Sequence, residues 1–201
     1  MKAINNLCWL FGYAIFLLCL NACTSTSPVT TSDIVVEHHE EPGLDEKYNQ
    51  TLHLTSKQAT IYRNFETKYA VTASYFSKDF IRAFEKRAEE IALPSSPLFA
   101  QYAKQQLFFV SIFVPVASQF DLSNQQLWSL KLRQGSLQVA PLLIEALKEK
   151  TYWQGFFPFI SSWSKEYLLV FPEEPALASN PAPFELRINN AEAAVTLGWG
   201  D

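Results

Sequence analysis

Residues Leu107 to Val114 form a nearly continuous apolar run, and Pro115 closes it. Strand side chains alternate between two faces, so an apolar run that hardly alternates predicts a central strand buried on both. Proline has no amide N–H to give a ladder, so the strand should stop there. Nothing else in the chain constrains the fold as tightly.

Other segments supply neighbours for that strand. Thr60–Phe65 and Thr67–Tyr75 read as strands, and in the second Tyr69, Val71, Ala73 and Tyr75 recur with a period of two. Ile61, Phe65, Tyr69, Thr72 and Phe76 also fall near helical spacing, but β-branched and aromatic residues favour strands. Leu127–Leu132, a turn at Gln134-Gly135 and Leu137–Ala140 predict a hairpin. Leu142–Lys150 fits a strand edge or a short helix. Glu166–Phe171 is a strand closed by Pro172, and a proline-rich loop runs on to Pro183. A last hairpin joins Phe184–Ile188 to Ala193–Trp199 through Asn189-Asn190. Ser77 is placed to cap a helix over Lys78–Ala92, with Phe80, Ile81, Phe84, Ala88 and Ile91 on one face. Ser96 and Pro97 predict a short second helix to about Gln106. About seven or eight short strands predict a mainly β fold with a helical insertion near its start, a β-sandwich of immunoglobulin-like architecture. The alternative is an α+β fold with one antiparallel sheet and helices on one face.

The N-terminus carries an address. After Lys2, an apolar run of about fourteen residues ends at Leu20, short of the ~20 that span a bilayer but long enough for a signal-peptide core. Leu20-Asn21-Ala22-Cys23 follows and resembles a bacterial lipobox, with an aliphatic residue three before the cysteine and a small one just before it. That resemblance implies removal of residues 1–22 and lipidation of Cys23 by a diacylglyceryl thioether, usually with an N-acyl chain such as palmitate. Two or more chains anchor stably. Thr24, rather than Asp, follows the cysteine, a pattern that resembles sorting to the outer membrane, facing the periplasm. Residues 23–52, Ser/Thr-rich and then acidic, read as a flexible tether, and 53–201 as a single β-rich domain. The stretch from Ile61 to Phe171, with Trp128, Phe157-Pro158, Trp163 and Tyr167-Leu168-Leu169-Val170-Phe171-Pro172, resembles a group of uncharacterised bacterial lipoproteins. That resemblance implies a shared fold and no activity.

The chain has 16 basic and 20 acidic side chains, and loss of Lys2 leaves a net charge of about −5. Such a balance argues against nucleic acid as a partner, because affinity there rests on Lys and Arg at phosphates. Cys8 and Cys19 leave with the signal peptide and Cys23 is taken by lipid, so the domain must hold together through its core alone. Large aromatics, sixteen Phe and five Trp over the whole chain and most of them after residue 22, can supply it.

Candidate chemistry is sparse. Glu37-His38-His39-Glu40-Glu41 has metal-ligating side chains, but it lies in the tether, where ligands are not held in place; no metal or other cofactor is expected. All three histidines lie at or before His53, so a nucleophilic triad in the domain would need His53. No Gly-x-Ser-x-Gly occurs, and the adjacent pairs Glu89-Glu90 and Glu173-Glu174 point in different directions. The aromatic stretch Tyr152–Trp163 offers Trp153, Phe157 and Trp163 as a contact patch, set against the simpler role of completing the core. The expectation is a lipid-anchored envelope protein acting as a non-enzymatic interaction or structural module. It would touch the membrane through Cys23 and an envelope protein through the patch. The alternatives are a small-ligand or glycan binder and an envelope hydrolase.

Overall fold

In chain order the elements are α1 (Glu46–Thr55), β1 (Ser56–Arg63), β2 (Glu66–Tyr75), α2 (Lys78–Glu90), α3 (Leu98–Gln101), β3 (Gln106–Phe113), β4 (Ser129–Gln134), β5 (Leu137–Val139), β6 (Leu143–Ala146), α4 (Lys150–Gln154), β7 (Lys165–Phe171), β8 (Phe184–Asn189) and β9 (Ala194–Trp199). The computed structural model describes residues 46–94, 96–116, 121–173 and 183–200. The strands make two antiparallel sheets, one in the order β1-β2-β3-β7-β6 and one in the order β5-β4-β8-β9.

The apolar run at 107–114 becomes β3, at the centre of the larger sheet. Its even members Phe108, Val110 and Ile112 point into a core shared with the smaller sheet. Its odd members Leu107 and Phe109 point into a second core under the helices. Strand β7 divides in the same way, with Tyr167, Leu169 and Phe171 on one side and Leu168 and Val170 on the other. The molecule therefore has three layers: helices, five strands, four strands. The β-sandwich expectation describes two of them, and the helix-on-sheet alternative describes the remaining face. The connectivity is not that of an immunoglobulin domain, where the third strand crosses to the opposite sheet. Here β1, β2 and β3 follow one another in one sheet.

Helix α2 starts and stops by local chemistry. Ser77 sits in extended backbone and its Oγ accepts the Phe80 N–H at 3.1 Å. Phe80, Phe84 and Ala88 then fall on one buried face. The helix ends in a Schellman turn: the Leu93 N–H reaches the Ala88 carbonyl at 2.9 Å and the Ala92 N–H reaches that of Glu89 at 3.2 Å. Ala92 takes the left-handed φ of 53° that this turn requires and that glycine would adopt more easily. The second expected helix is one short turn, Leu98–Gln101, because the chain must already be extended at Gln106 to pair with Phe171.

One boundary needs correction. Residues 46–52, read as the end of the tether, belong to α1, whose Tyr48 and Leu52 are buried in the helix-side core. The Tyr48 hydroxyl donates to the Phe156 carbonyl at 2.8 Å, and Trp199 Nε1–H donates to the Thr55 carbonyl at 2.7 Å. The helix is too short and too polar to stand alone, and these long-range contacts hold it.

Candidate interaction surface

The three aromatics singled out in the sequence do not form one surface. Trp153 is 5% exposed and Phe157 0%, whereas Trp163 is 76% exposed. Helix α4 lies on the helix side of the larger sheet and turns Trp153 inward against Phe84 and Phe109. Phe157 stacks on Phe109 at 3.8 Å between ring centres, and Phe156 on Phe84 at the same distance. The aromatic density of 152–159 therefore closes the second core. The contact-patch assignment is corrected for Trp153 and Phe157, and Trp163 alone stays at the surface.

Trp163 is displayed on a fixed turn. Its N–H donates to Ser161 Oγ at 3.3 Å, and the Ser161 N–H donates to Ser164 Oγ at 3.1 Å. Ser164 Oγ lies 2.6 Å from Glu166 Oε1 and 2.9 Å from the Ser161 carbonyl. Its single proton goes to the carboxylate, the stronger acceptor. Glu166 is buried on β7 opposite Ser111 of β3, whose hydroxyl donates to Oε1 at 3.3 Å. From α4, Lys150 Nζ comes within 3.5 Å of Glu166 Oε2 and donates to the Ser164 carbonyl at 2.6 Å. A buried carboxylate is tolerated only when paired and hydrogen-bonded, and this one gathers an ammonium and two hydroxyls. The result is a polar brace that ties α4, β3, β7 and the turn below Trp163 into one piece.

A second surface feature left only a faint trace in the sequence. Strands β1 and β2 meet in a two-residue turn, Asn64-Phe65, between the paired Arg63 and Glu66. Both turn residues have positive φ, 54° and 64°. Two-residue hairpin turns favour that geometry and fill it with Asn-Gly, whereas a bulky residue there is strained. Phe65 is fully exposed, so no packing in the domain compensates. The pairing of β2 with β3 ends at Ala70 with Phe113. The hairpin tip thus overhangs its neighbour by about 16 Å, five residues at strand rise. Tyr62 to Glu66 are all exposed. The sequence signal was an asparagine followed by a bulky residue between two strands; it was missed because Phe65 also extends the first strand's apolar pattern.

These features share one end of the molecule. Val116 follows β3 there and Trp163 precedes β7, and Trp128, next to Leu127, packs edge-on against Tyr69 at 5.3 Å. Of the seven large apolar side chains exposed among the described residues, five (Tyr62, Phe65, Val116, Leu127, Trp163) lie at this end. Leu54 and Leu142 lie at the other, beside Ser56 and Val170.

The resolved shifts in acidity all run away from neutrality. Burial pushes up the phenols of Tyr48, Tyr69, Tyr75, Tyr152 and Tyr167; the charge of Arg87 partly opposes this at Tyr48. The Ser123 hydroxyl and N–H hold Asp121 below its ordinary value. His53 is exposed on α1, and no three His, Cys, Asp or Glu side chains gather to hold a metal among the described residues. Cys23 and Glu37–Glu41 lie outside the described residues. No helix among the described residues is long and apolar enough to cross a membrane. Compared with known proteins, the chain matches no protein-family model, no curated protein and no solved structure.

Proposed function

We propose that this is a lipid-anchored protein of the cell envelope that works by contact rather than catalysis, presenting the end of its sandwich that carries Trp163. The observation that carries the reading is that clustering of exposed apolar side chains at one end, with Trp163 held on a braced turn. Aromatics dominate contact energetics, and a side chain fixed before binding loses less entropy on binding. The glycan-binding alternative called on three rings as one face and retains only Trp163.

Photo-crosslinking in intact cells tests the reading. A photoreactive residue at position 163 should capture a defined set of envelope components, and the same residue at position 142, exposed at the far end, should not. Equal capture at both positions would sink the contact surface. Replacing Cys23 with alanine should release the protein from the envelope, and mass analysis of the mature N-terminus reads the lipid directly.

A further inference from the structure

We propose that the tip of the β1–β2 hairpin is a finger that rests in the headgroup layer of the bilayer to which the protein is anchored. The proposal deepens the reading above and rests on its lipid anchor.

Folding does not explain Phe65. The turn would be satisfied better by glycine, and the ring touches nothing that would justify a bulky residue at a φ of 64°. Strain of that kind, kept at a projecting tip, points to a use outside the fold. The residues around it suit a water–lipid boundary. Phe65 is the apolar point. Tyr62, exposed one pair further back, has an apolar body and a polar end, the type enriched at headgroup level. Arg63 is exposed at the tip, and Lys68 pairs with Glu66 at 3.0 Å. The segment from Tyr62 to Lys68 thus has two basic and one acidic side chain on a chain that is acidic as a whole. An exposed guanidinium beside apolar rings matches a surface of lipid phosphates.

Chain length adds the remaining argument. Twenty-two residues separate Cys23 from Glu46. Even fully drawn out, at ~3.5 Å per residue, they keep the domain within about 80 Å of the anchored cysteine. The anchoring bilayer is therefore an apolar phase that the tether keeps within reach of the domain. A groove in another protein or a second copy of this chain could also receive a protruding ring, and the experiment separates them.

Once residues 1–22 are removed and Cys23 is lipidated, the remaining chain has no cysteine. Phe65→Cys then gives a single thiol for a polarity-sensitive fluorophore, and Leu142→Cys gives the matching control at the far end. The lipidated protein is reconstituted into phosphatidylethanolamine–phosphatidylglycerol vesicles with and without brominated acyl chains. The expected result is a blue-shifted emission at position 65, quenched several-fold more strongly by brominated lipid than at position 142. Equal exposure to water at both positions overturns the proposal. So does a blue shift that brominated lipid does not quench, or one that appears only as protein density rises. Those two results assign the finger to a protein groove or to a second copy. Mass analysis of the same sample reads the anchor independently. If Cys23 carries no lipid, the anchoring reading fails by itself. The finger is then tested with the same vesicles added to a chain whose three native cysteines are serine, under the same criteria.

Discussion

The aromatic stretch at 152–163 and the hairpin tip at 62–66 use the same side-chain chemistry in opposite ways. The first is dense and conspicuous in the sequence, and all of it but Trp163 is drawn inward or packed along the core. The second has only two rings, Phe65 fully exposed and Tyr62 largely so. A crowd of aromatics is thus a poor guide to a binding face, because large rings are also what a core without disulfides requires. The informative rings are the few held outside by specific backbone: Phe65 by a strained turn and Trp163 by a braced one.

The contrast is sharpest at Phe157. Truncating it to alanine removes the ring stacked on Phe109 and should destabilise the domain by about 3–5 kcal/mol, read from a denaturant midpoint. A loss under about 1 kcal/mol would mean that this stretch is not core after all.

Glu166→Ala leaves Lys150 without its carboxylate and the Ser111 hydroxyl without its acceptor, while Ser164 turns to the Ser161 carbonyl. Since Lys150 is partly exposed to solvent, the expected loss is about 2 kcal/mol. Hydrogen exchange at the Ser164 amide should accelerate more than exchange in β8. Uniform acceleration would show that the brace supports the whole fold rather than the turn.

Alkali separates the core by another route. A phenol whose folded pKa is raised above its unfolded value of 10.0 contributes stability that is fully present below pH 10 and is lost as pH rises through the folded value. Tyr48 and Tyr69 should each weaken the fold by up to about 1.4 kcal/mol per pH unit above 10. Tyrosinate absorbance from these rings should then appear together with unfolding, and its appearance well before unfolding would contradict their burial.

At the hairpin the sign reverses. Phe65→Gly should stabilise the domain by about 1 kcal/mol, because glycine adopts the required φ freely. The same change should abolish whatever the tip contacts, and a destabilised Phe65→Gly would show that the ring has a structural partner. Trp163→Ala should move stability least, within about 0.5 kcal/mol, since its ring is largely in water.

Much of the fold was legible because its signals are local. The cap at Ser77, the hairpins around Gly135 and Asn190, and the two-faced burial of β3 follow from turn chemistry and from the period of two. Helix α1 was illegible because Glu46–Thr55 is a weak helix by itself, and distant residues such as Phe80, Phe156 and Trp199 hold it in place. The turn below Trp163 was hidden for a related reason. Ser111 and Lys150 are 53 and 14 residues from Ser164 along the chain; strand pairing brings the first to it and the packing of α4 the second.

The sequence alone determined a central strand buried on both faces, a capped amphipathic helix and at least two hairpins, because side-chain period and backbone preference act over a few residues. The tertiary structure decided that the smaller sheet covers one face and helices the other. It also decided that Trp153 and Phe157 lie inside while Trp163 and Phe65 lie outside. A ring becomes core or surface according to what lies across the sheet from it, and contacts between distant segments set that.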